Sequence, residues 1–377
     1  MRKIGIITLN GYYNYGNRLQ NYALQKILQD LGYDVETILH FIEKPHITVV
    51  DKEPYFNKVM RNLGEIKELK NKIIYKINLK KLNHYRDKRI LVFKDFTKKH
   101  IKETDFYINK NCIPIDFEKK YDYFIAGSDQ IWNPLYNFHT DVEPAIEYLT
   151  FAPHEKRLSY AASFGISEIP LKFQSRVING LNGMKSILVR EEAGARLVKE
   201  LTNRDAYVVL DPTMLLTKEQ WLEIALEHEY KPNEEYLLTY FLGKKTKETQ
   251  QFIKELAKKN NLEVVHLEDV KYKNLYTASP SHFIDYINSA SLICTDSFHG
   301  TVFSIILETP FIVFKREESG PSMYSRIETL LNTFGLQERT KENINLEKIY
   351  DIDFDKTKEI LSYKREESLE ILKNSFL

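Results

Sequence analysis

The strongest constraint on this chain is a strand, loop, helix, strand rhythm that opens it and returns along most of its length. Lys3 to Leu9 is a compact β-branched run bounded by Asn10-Gly11. After it, Leu19, Tyr22, Ala23, Leu24, Ile27, Leu28 and Leu31 recur at helical spacing up to Gly32, and Val35 to Leu39 reads as a second strand. Such a βαβ opening needs a crossover and therefore implies a parallel sheet. Strand-like runs resume at Tyr123 to Ala126, Leu158 to Ala162, Ser186 to Val189 and Tyr207 to Leu210, with a helix from Glu192 to Leu201. Each run ends in small, polar or charged residues. Gly127-Ser128-Asp129, Ser163-Phe164-Gly165, Arg190-Glu191 and Asp211-Pro212 are thereby expected together at the C-terminal ends of strands, where open parallel sheets bind ligands.

The rhythm restarts after Pro212. Strands are expected at Tyr236 to Leu242, Glu263 to Leu267, Leu292 to Thr295 and Phe311 to Phe314, with helices at Lys247 to Asn260, Ser281 to Ser289, from Gly300, and at Ser322 to Phe334. A chain of 377 residues exceeds what one core usually organises, so two doubly wound α/β domains facing a cleft are expected. The first covers residues 1–215, the second 216–345, and a charged helical tail fills 346–377. A basic, helical insertion at about 55–110 interrupts the first domain: Leu63, Ile66, Leu69, Ile73 and Ile77 fit an amphipathic stripe, and Glu65, Glu68, Asp87 and Asp95 are the only acids between Lys58 and Lys102. Such a helix is either a solvated arm packed on its own domain or a contact for an anionic membrane surface through 55–105.

The composition narrows the function classes. A net charge of +1 gives no overall attraction to nucleic acid, so no nucleic-acid partner is expected. Cys112 and Cys294, the two cysteines, lie far apart, which fits a reducing compartment and leaves no cysteine-based zinc site. The ten histidines show no ligand spacing with acids or cysteines, so no metal is expected. The first apolar stretch, Ile4 to Ile7, is too short for a signal peptide, and no run reaches membrane-spanning length; a cytoplasmic location is expected, with peripheral contact at the inner face of the membrane left open.

Thr295-Asp296-Ser297-Phe298-His299-Gly300-Thr301 takes a buried strand into a helix start, whose N–H groups attract anions. His299 stands where an imidazole can donate a proton, and Gly300 allows close backbone approach. Simple capping by Ser297 with His299 packed in the cleft satisfies the fragment equally well. The next strand ends in Lys315-Arg316, adjacent in the sheet if its crossover is right-handed. Arg190 follows a buried strand, where its fork can clamp a carboxylate or phosphate or else pair with Glu191. Asn14 to Gln20 follows the first strand with one glycine where a dinucleotide fingerprint needs three, which disfavours NAD. Its amides, with Asn10, suit sugar hydroxyls or turn capping alike.

Six segments in order carry a resemblance: NYGNRLQNYALQ from Asn14, FIAGSDQIWNP from Phe124, SYAASFG from Ser159, LVREEAG from Leu188, LDPT from Leu210 and TDSFHGTVFSI from Thr295. Together, from Ile4 to about Leu336, they resemble the polysaccharide pyruvyl transferase family. The resemblance implies two Rossmann-like domains similar to the GT-B glycosyltransferases. It also implies a reaction in which phosphoenolpyruvate, as co-substrate without a further cofactor, gives pyruvate as a ketal to two hydroxyls of a sugar in a cell-surface polysaccharide precursor. Such a donor needs cations for its carboxylate and phosphate, an acid for its methylene carbon and a base for the attacking hydroxyl. Arg190 and Lys315 are expected to clamp it, His299 to be the acid and Asp129 the base. Ser128, Ser297, Gly300 and Thr301 are expected at the donor. Arg316 and Arg326 stand as alternates to Lys315, because some family members carry the last cation after a longer loop. Asn10, Asn14, Asn17, Gln20 and Gln130 are expected at the glycan acceptor, nucleotide-linked or lipid-linked. Two other readings share the scaffold: a GT-B-type glycosyltransferase using a nucleotide sugar, and a non-catalytic carbohydrate-binding subunit of polysaccharide assembly.

Overall fold

The computed structural model describes residues 1–40, 65–109, 111–136, 144–316 and 324–377, without the side chains of 65–82. The first half runs β1 (Lys3–Ile7), α1 (Tyr15–Asp30), β2 (Asp34–His40), α2 (Glu65–His100), β3 (Glu103–Ile108), β4 (Tyr123–Ala126), β5 (Arg157–Ser159), α3 (Leu171–Asn182), β6 (Leu188–Val189), α4 (Glu192–Thr202), β7 (Tyr207–Val208) and α5 (Pro212–Leu215). After α6 (Lys218–Leu222), the second half runs β8 (Tyr236–Tyr240), α7 (Lys247–Lys259), β9 (Glu263–His266), α8 (Lys273–Tyr276), α9 (Pro280–Ser289), β10 (Leu292–Thr295), α10 (Phe298–Ile306), β11 (Phe311–Val313), α11 (Ser325–Phe334) and α12 (Phe354–Asn374).

All these strands pair in parallel. The first sheet has the order β3-β2-β1-β4-β5, and single bridges from Leu158 to Ser186 and from Ala162 to Val189 carry it on to β6 and β7. The second has the order β11-β10-β8-β9. Both are doubly wound, as expected: strand order reverses between β1 and β4 in one and between β8 and β10 in the other, which opens a crevice beyond the strand ends at each reversal.

Pleat alternation decides what each sheet buries. Ile4 and Ile6 of β1 join the main core, while Ile7 packs with Phe124 and Trp132 on the opposite face. In the second sheet Leu238 and Ile293 face the main core, and Leu237 and Cys294 face an outer cluster. The main core runs unbroken through both halves. Tyr15 of α1 stacks on Phe283 of α9 at 4.5 Å and its hydroxyl donates to the Ala278 carbonyl at 3.1 Å. Fully burying each such aromatic stabilises by about 1.5–3 kcal/mol, so the halves are held by apolar contact.

The segment expected as an insertion is a crossover. Its helix α2 leads into β3, which pairs with β2 as the sheet edge, Thr37 opposite Glu103 and His40 opposite Ile108. β3 escapes a pattern reading because Thr104 and Ile108 are buried while Asp105 and Tyr107 face water, so its sequence looks polar. The expected stripe from Leu63 to Ile77 lies outside the described side chains. Further along α2, Arg89, Phe93, Phe96 and Thr97 point into the body. Arg89 donates to the Tyr13 and Tyr276 carbonyls and the Tyr15 hydroxyl and pairs with Glu268, binding α2 to the second half. The tail also crosses back: Ser368 of α12 accepts from the Leu210 N–H, Arg365 donates to the Met214 and Leu216 carbonyls, and Phe376 packs on Tyr33 and Tyr123. No helix among the described residues is long and apolar enough to cross a membrane.

Candidate functional site

The C-terminal ends of β4, β6 and β7 converge on one buried carboxylate. Asp211 follows β7 and caps α5, its Oδ1 accepting from the N–H and hydroxyl of Thr213 at 3.1 and 2.7 Å. Its Oδ2 accepts from Arg190 Nη1 at 2.8 Å and Ser128 Oγ at 3.0 Å. Burial alone pushes this carboxyl up, but His299 and Arg190 reverse that and hold it well below the usual carboxylate range.

Arg190 lies one residue past β6, at the expected strand end. Nη2 donates to Asp129 Oδ1 at 3.2 Å, and Nε, without a hydrogen bond among the described residues, stands 3.9 Å from Glu191 Oε2. Burial works against the charge, and Asp129, Asp211 and Glu191 together more than restore it. Phe298 of α10 covers the guanidinium, ring centroid 4.3 Å from Cζ, and the same ring lies 5.9 Å from Cζ of Arg326 on α11. Arg326 is buried too; desolvation and the like charge of Arg190 lower its hold on a proton. Burial also pushes the Glu191 carboxyl up, despite Arg190 and Arg326 beside it. Two like-charged guanidiniums thus flank one phenyl ring beside three carboxylates.

The turn after β4 is shaped by its glycine. At Gly127, with φ of 130°, a Cβ would lie 2.1 Å from the Tyr160 carbonyl oxygen. Close strand packing thereby presents Ser128 and Asp129 at the sheet edge. Gln130 follows; with its amide oxygen turned toward Arg326 it accepts from both terminal nitrogens at 3.1 and 3.2 Å and from the Tyr136 hydroxyl at 3.2 Å. Gln130, expected at the acceptor, is therefore placed beside the arginine pair.

From the second half come Asp296, Ser297 and His299. Ser297 caps α10, its Oγ accepting from the Gly300 N–H at 3.3 Å, and its carbonyl accepts from the Thr301 N–H at 3.0 Å and hydroxyl at 3.1 Å. The Gly300 and Thr301 amides expected to hold an anion are thus already bonded. The first-turn N–H groups of Phe298 and His299 have no acceptor four residues back inside the helix. Gly300 is needed for packing, since a Cβ there would stand 2.5 Å from Thr295 Oγ1. Asp296 accepts from the Leu242 and Gly243 N–H groups at 2.7 and 2.8 Å and from Arg316 Nε at 3.2 Å. That carboxylate and Arg316 tie the ends of β8, β10 and β11 together. Lys315 is exposed, its Nζ 5.3 Å from the Tyr324 ring centroid. Of the three candidate cations, Arg326 is the one brought against Arg190.

His299 is buried, with Nε2 lacking a hydrogen bond among the described residues and 3.7 Å from Asp211 Oδ2. Its other side lies flat on Gly16 of α1, where a Cβ would be 2.1 Å from Nδ1. The amides expected for the acceptor divide. Asn14 caps α1 through the Asn17 N–H, Gln20 accepts from the Ser128 N–H at 3.1 Å and donates to Thr8, and Asn10 Nδ2 reaches the Ile38 carbonyl at 3.5 Å. These three build the frame, whereas the Asn17 side chain makes no hydrogen bond among the described residues. Sequence reasoning named Glu191 as an alternative partner for Arg190 and set Asp211 at a strand end without a part in the chemistry, and it gave no role to Phe298. The Asp-Pro helix start flags a capping carboxylate, but no local signal shows that it meets Arg190 and His299.

Among the described residues, no group of three or more His, Cys, Asp or Glu side chains is placed to share a metal ion. The chain is similar in structure to UDP-GlcNAc 2-epimerase from Methanocaldococcus jannaschii, crystallised with UDP-GlcNAc and UDP: 14% identity over 96% of this chain and 99% of that one, TM-score 0.43. It is likewise similar to UDP-GlcNAc 2-epimerase from Neisseria meningitidis bound to UDP-GlcNAc, at 10% identity over 99% and 100% of the chains with TM-score 0.42. S. aureus MnaA with UDP gives 12%, 96% and 91%, and TM-score 0.47. No curated protein matches the sequence. The family model that does match is that of the polysaccharide pyruvyl transferases, over residues 14–318 with Ser128, Arg190, Asp211 and His299 all inside, and the chain belongs to that family of transferases.

Proposed function

We propose that this protein moves pyruvate from phosphoenolpyruvate onto a sugar of a cell-surface polysaccharide precursor, forming a cyclic ketal. The observation that carries the reading is the buried pair Arg190 and Arg326 on Phe298, at 4.3 and 5.9 Å, in one cluster with His299. Two guanidiniums gathered at one ring are suited to the carboxylate and phosphate of a small polyanion, and the first-turn N–H groups of α10 add donors. Lys315 at the rim draws the anion in. His299 gives a proton to the methylene carbon C3, leaving C2 electron-poor. A sugar hydroxyl attacks C2 and passes its proton to Asp129, whose Oδ2 makes no hydrogen bond among the described residues. The bond from C2 to the phosphate oxygen breaks, and a second hydroxyl closes the ring at C2. Of the two protons released, one restores His299 and the other leaves on inorganic phosphate.

The test is phosphate release from phosphoenolpyruvate with and without glycan acceptor, nucleotide-linked or lipid-linked. Acceptor-dependent release is expected. Arg190→Ala and Arg326→Ala are expected to raise KM for phosphoenolpyruvate at least tenfold, about 1.4 kcal/mol or more of lost binding. Unchanged turnover in His299→Ala removes the acid assignment. A nucleoside diphosphate product assigns the cleft to glycosyl transfer instead, and acceptor binding without any product assigns it to a binding subunit.

A further inference from the structure

The contact between Asp211 and His299 joins the two halves at the site. Asp211 belongs to the first sheet and His299 to the first turn of α10 beside the second, and their facing atoms, Oδ2 and Nε2, stand 3.7 Å apart with nothing else bonded to Nε2 among the described residues. That is too long for a hydrogen bond and too short to admit a water between them. The carboxylate is held rigidly by Thr213, Ser128 and Arg190. The imidazole is held from behind by Gly16. An approach of the halves by about 0.8 Å brings the pair to hydrogen-bonding distance, and catalytic hydrogen bonds are commonly long before substrate arrives.

We propose that Asp211 is the positioning residue for His299: on cleft closure its Oδ2 accepts a hydrogen bond from Nε2–H, fixing the ring's tautomer and plane and leaving Nδ1 as the nitrogen that meets the substrate. This rests on the reading of His299 as the acid. The charge around the pair comes from Arg190, Asp129, Glu191 and Arg326, and Asp211 is the acid whose carboxylate faces Nε2. A carboxylate so placed acts through the imidazole; its Oδ2 also accepts from Arg190 Nη1 at 2.8 Å, and the KM for phosphoenolpyruvate separates the two roles.

The experiment uses the full chain. Asp211→Asn keeps the shape but offers an amide to Nε2; kcat is expected to fall about 100-fold or more, with KM for phosphoenolpyruvate within about threefold of wild type. The double variant with His299→Ala is expected to match His299→Ala alone, because the two act as one unit. Nitrogen-15 NMR of the histidines reads the tautomer without any assay: the neutral form of His299, the state left once its Nδ1 proton is given, is expected to carry its one proton on Nε2 in wild type, and Asp211→Asn to lose that preference. An additive double variant, or a raised KM with kcat intact, overturns the proposal by assigning Asp211 to Arg190 instead. A His299 tautomer indifferent to Asp211 overturns it as well. If wild type releases no phosphate from phosphoenolpyruvate, the function reading fails while the tautomer readout still decides the pairing. Should Asp211→Asn not fold, Thr213→Val strips one donor from Oδ1 and keeps the carboxylate; a three- to tenfold fall in kcat, about 0.7–1.4 kcal/mol, is then expected, and no change in kcat or tautomer overturns the proposal.

Discussion

Replacing Gly16 by alanine puts a methyl carbon 2.1 Å from Nδ1 of His299, 2.5 Å from Cγ and 2.6 Å from Cε1, so the new group meets the face of the ring. Contact at 3.4 Å is ordinary, so the imidazole has to retreat by about 1.3 Å. Two terms then separate. Gly16 sits in the first turn of α1 at an ordinary helical φ, so alanine recovers up to about 1 kcal/mol of helix propensity. Overpacking a buried contact costs about 1–3 kcal/mol. The net destabilisation is thus roughly 0–3 kcal/mol, a fall in Tm of up to several degrees for a chain of this size. Activity behaves differently. A displacement of about 1 Å in a proton-transfer group costs on the order of 100-fold in rate. Calorimetry and acceptor-dependent phosphate release on the same preparation read both. A variant with wild-type turnover refutes the claim that α1 sets the position of His299; one that loses its cooperative transition refutes the claim that the strain is local.

Three further outcomes follow from named contacts. Asp211 is held below the usual carboxylate range when folded, so it contributes stability that is complete above its unfolded value near pH 4 and is lost as pH falls further; urea unfolding is expected to show a steeper acid loss in wild type than in Asp211→Asn, and parallel curves refute the assignment. Arg89→Met leaves Glu268 without its partner and three acceptors without a donor, at a cost of about 3 kcal/mol given that Glu268 keeps some solvent contact; a Tm within one degree of wild type (about 0.3–0.5 kcal/mol) rules this out. On the described half of α2, Lys88, Lys94, Lys98 and Lys99 are exposed, so co-sedimentation with anionic vesicles at low salt that vanishes at high salt is expected if the helix meets a membrane, and no binding at low salt removes that reading.

The fold was largely legible because the central strands, such as β1, β8 and β10, are buried on both faces, while helices such as α4 and α7 bury one. Lys3 to Leu9, Val35 to Leu39 and Leu292 to Thr295 read as strands from β-branched runs alone, and Ser279 and Thr246 cap their helices where the apolar period begins. β3 was hidden for the converse reason: an edge strand with one wet face has no apolar run to show.

The site was legible only as a set of strand ends. Sequence placed Ser128, Asp129, Arg190 and His299 at the mouths of parallel strands, which follows from chain direction, but which cation meets which acid depends on how the halves pack. Lys315 and Arg326 illustrate the difference. Lys315 ends a strand and looks like the nearer cation, yet its side chain leaves the sheet edge for Tyr324 and solvent, while Arg326 enters the cluster from α11 because that helix packs on α4. Helix packing angles are set by ridges from several turns and leave no mark on a single position. The same holds for Asp211 and His299, separated by most of the second half. Their meeting follows from Gly16, which lets α1 approach close enough for the imidazole to lie between the halves, so a residue outside the proposed chemistry decides whether the acid is in place.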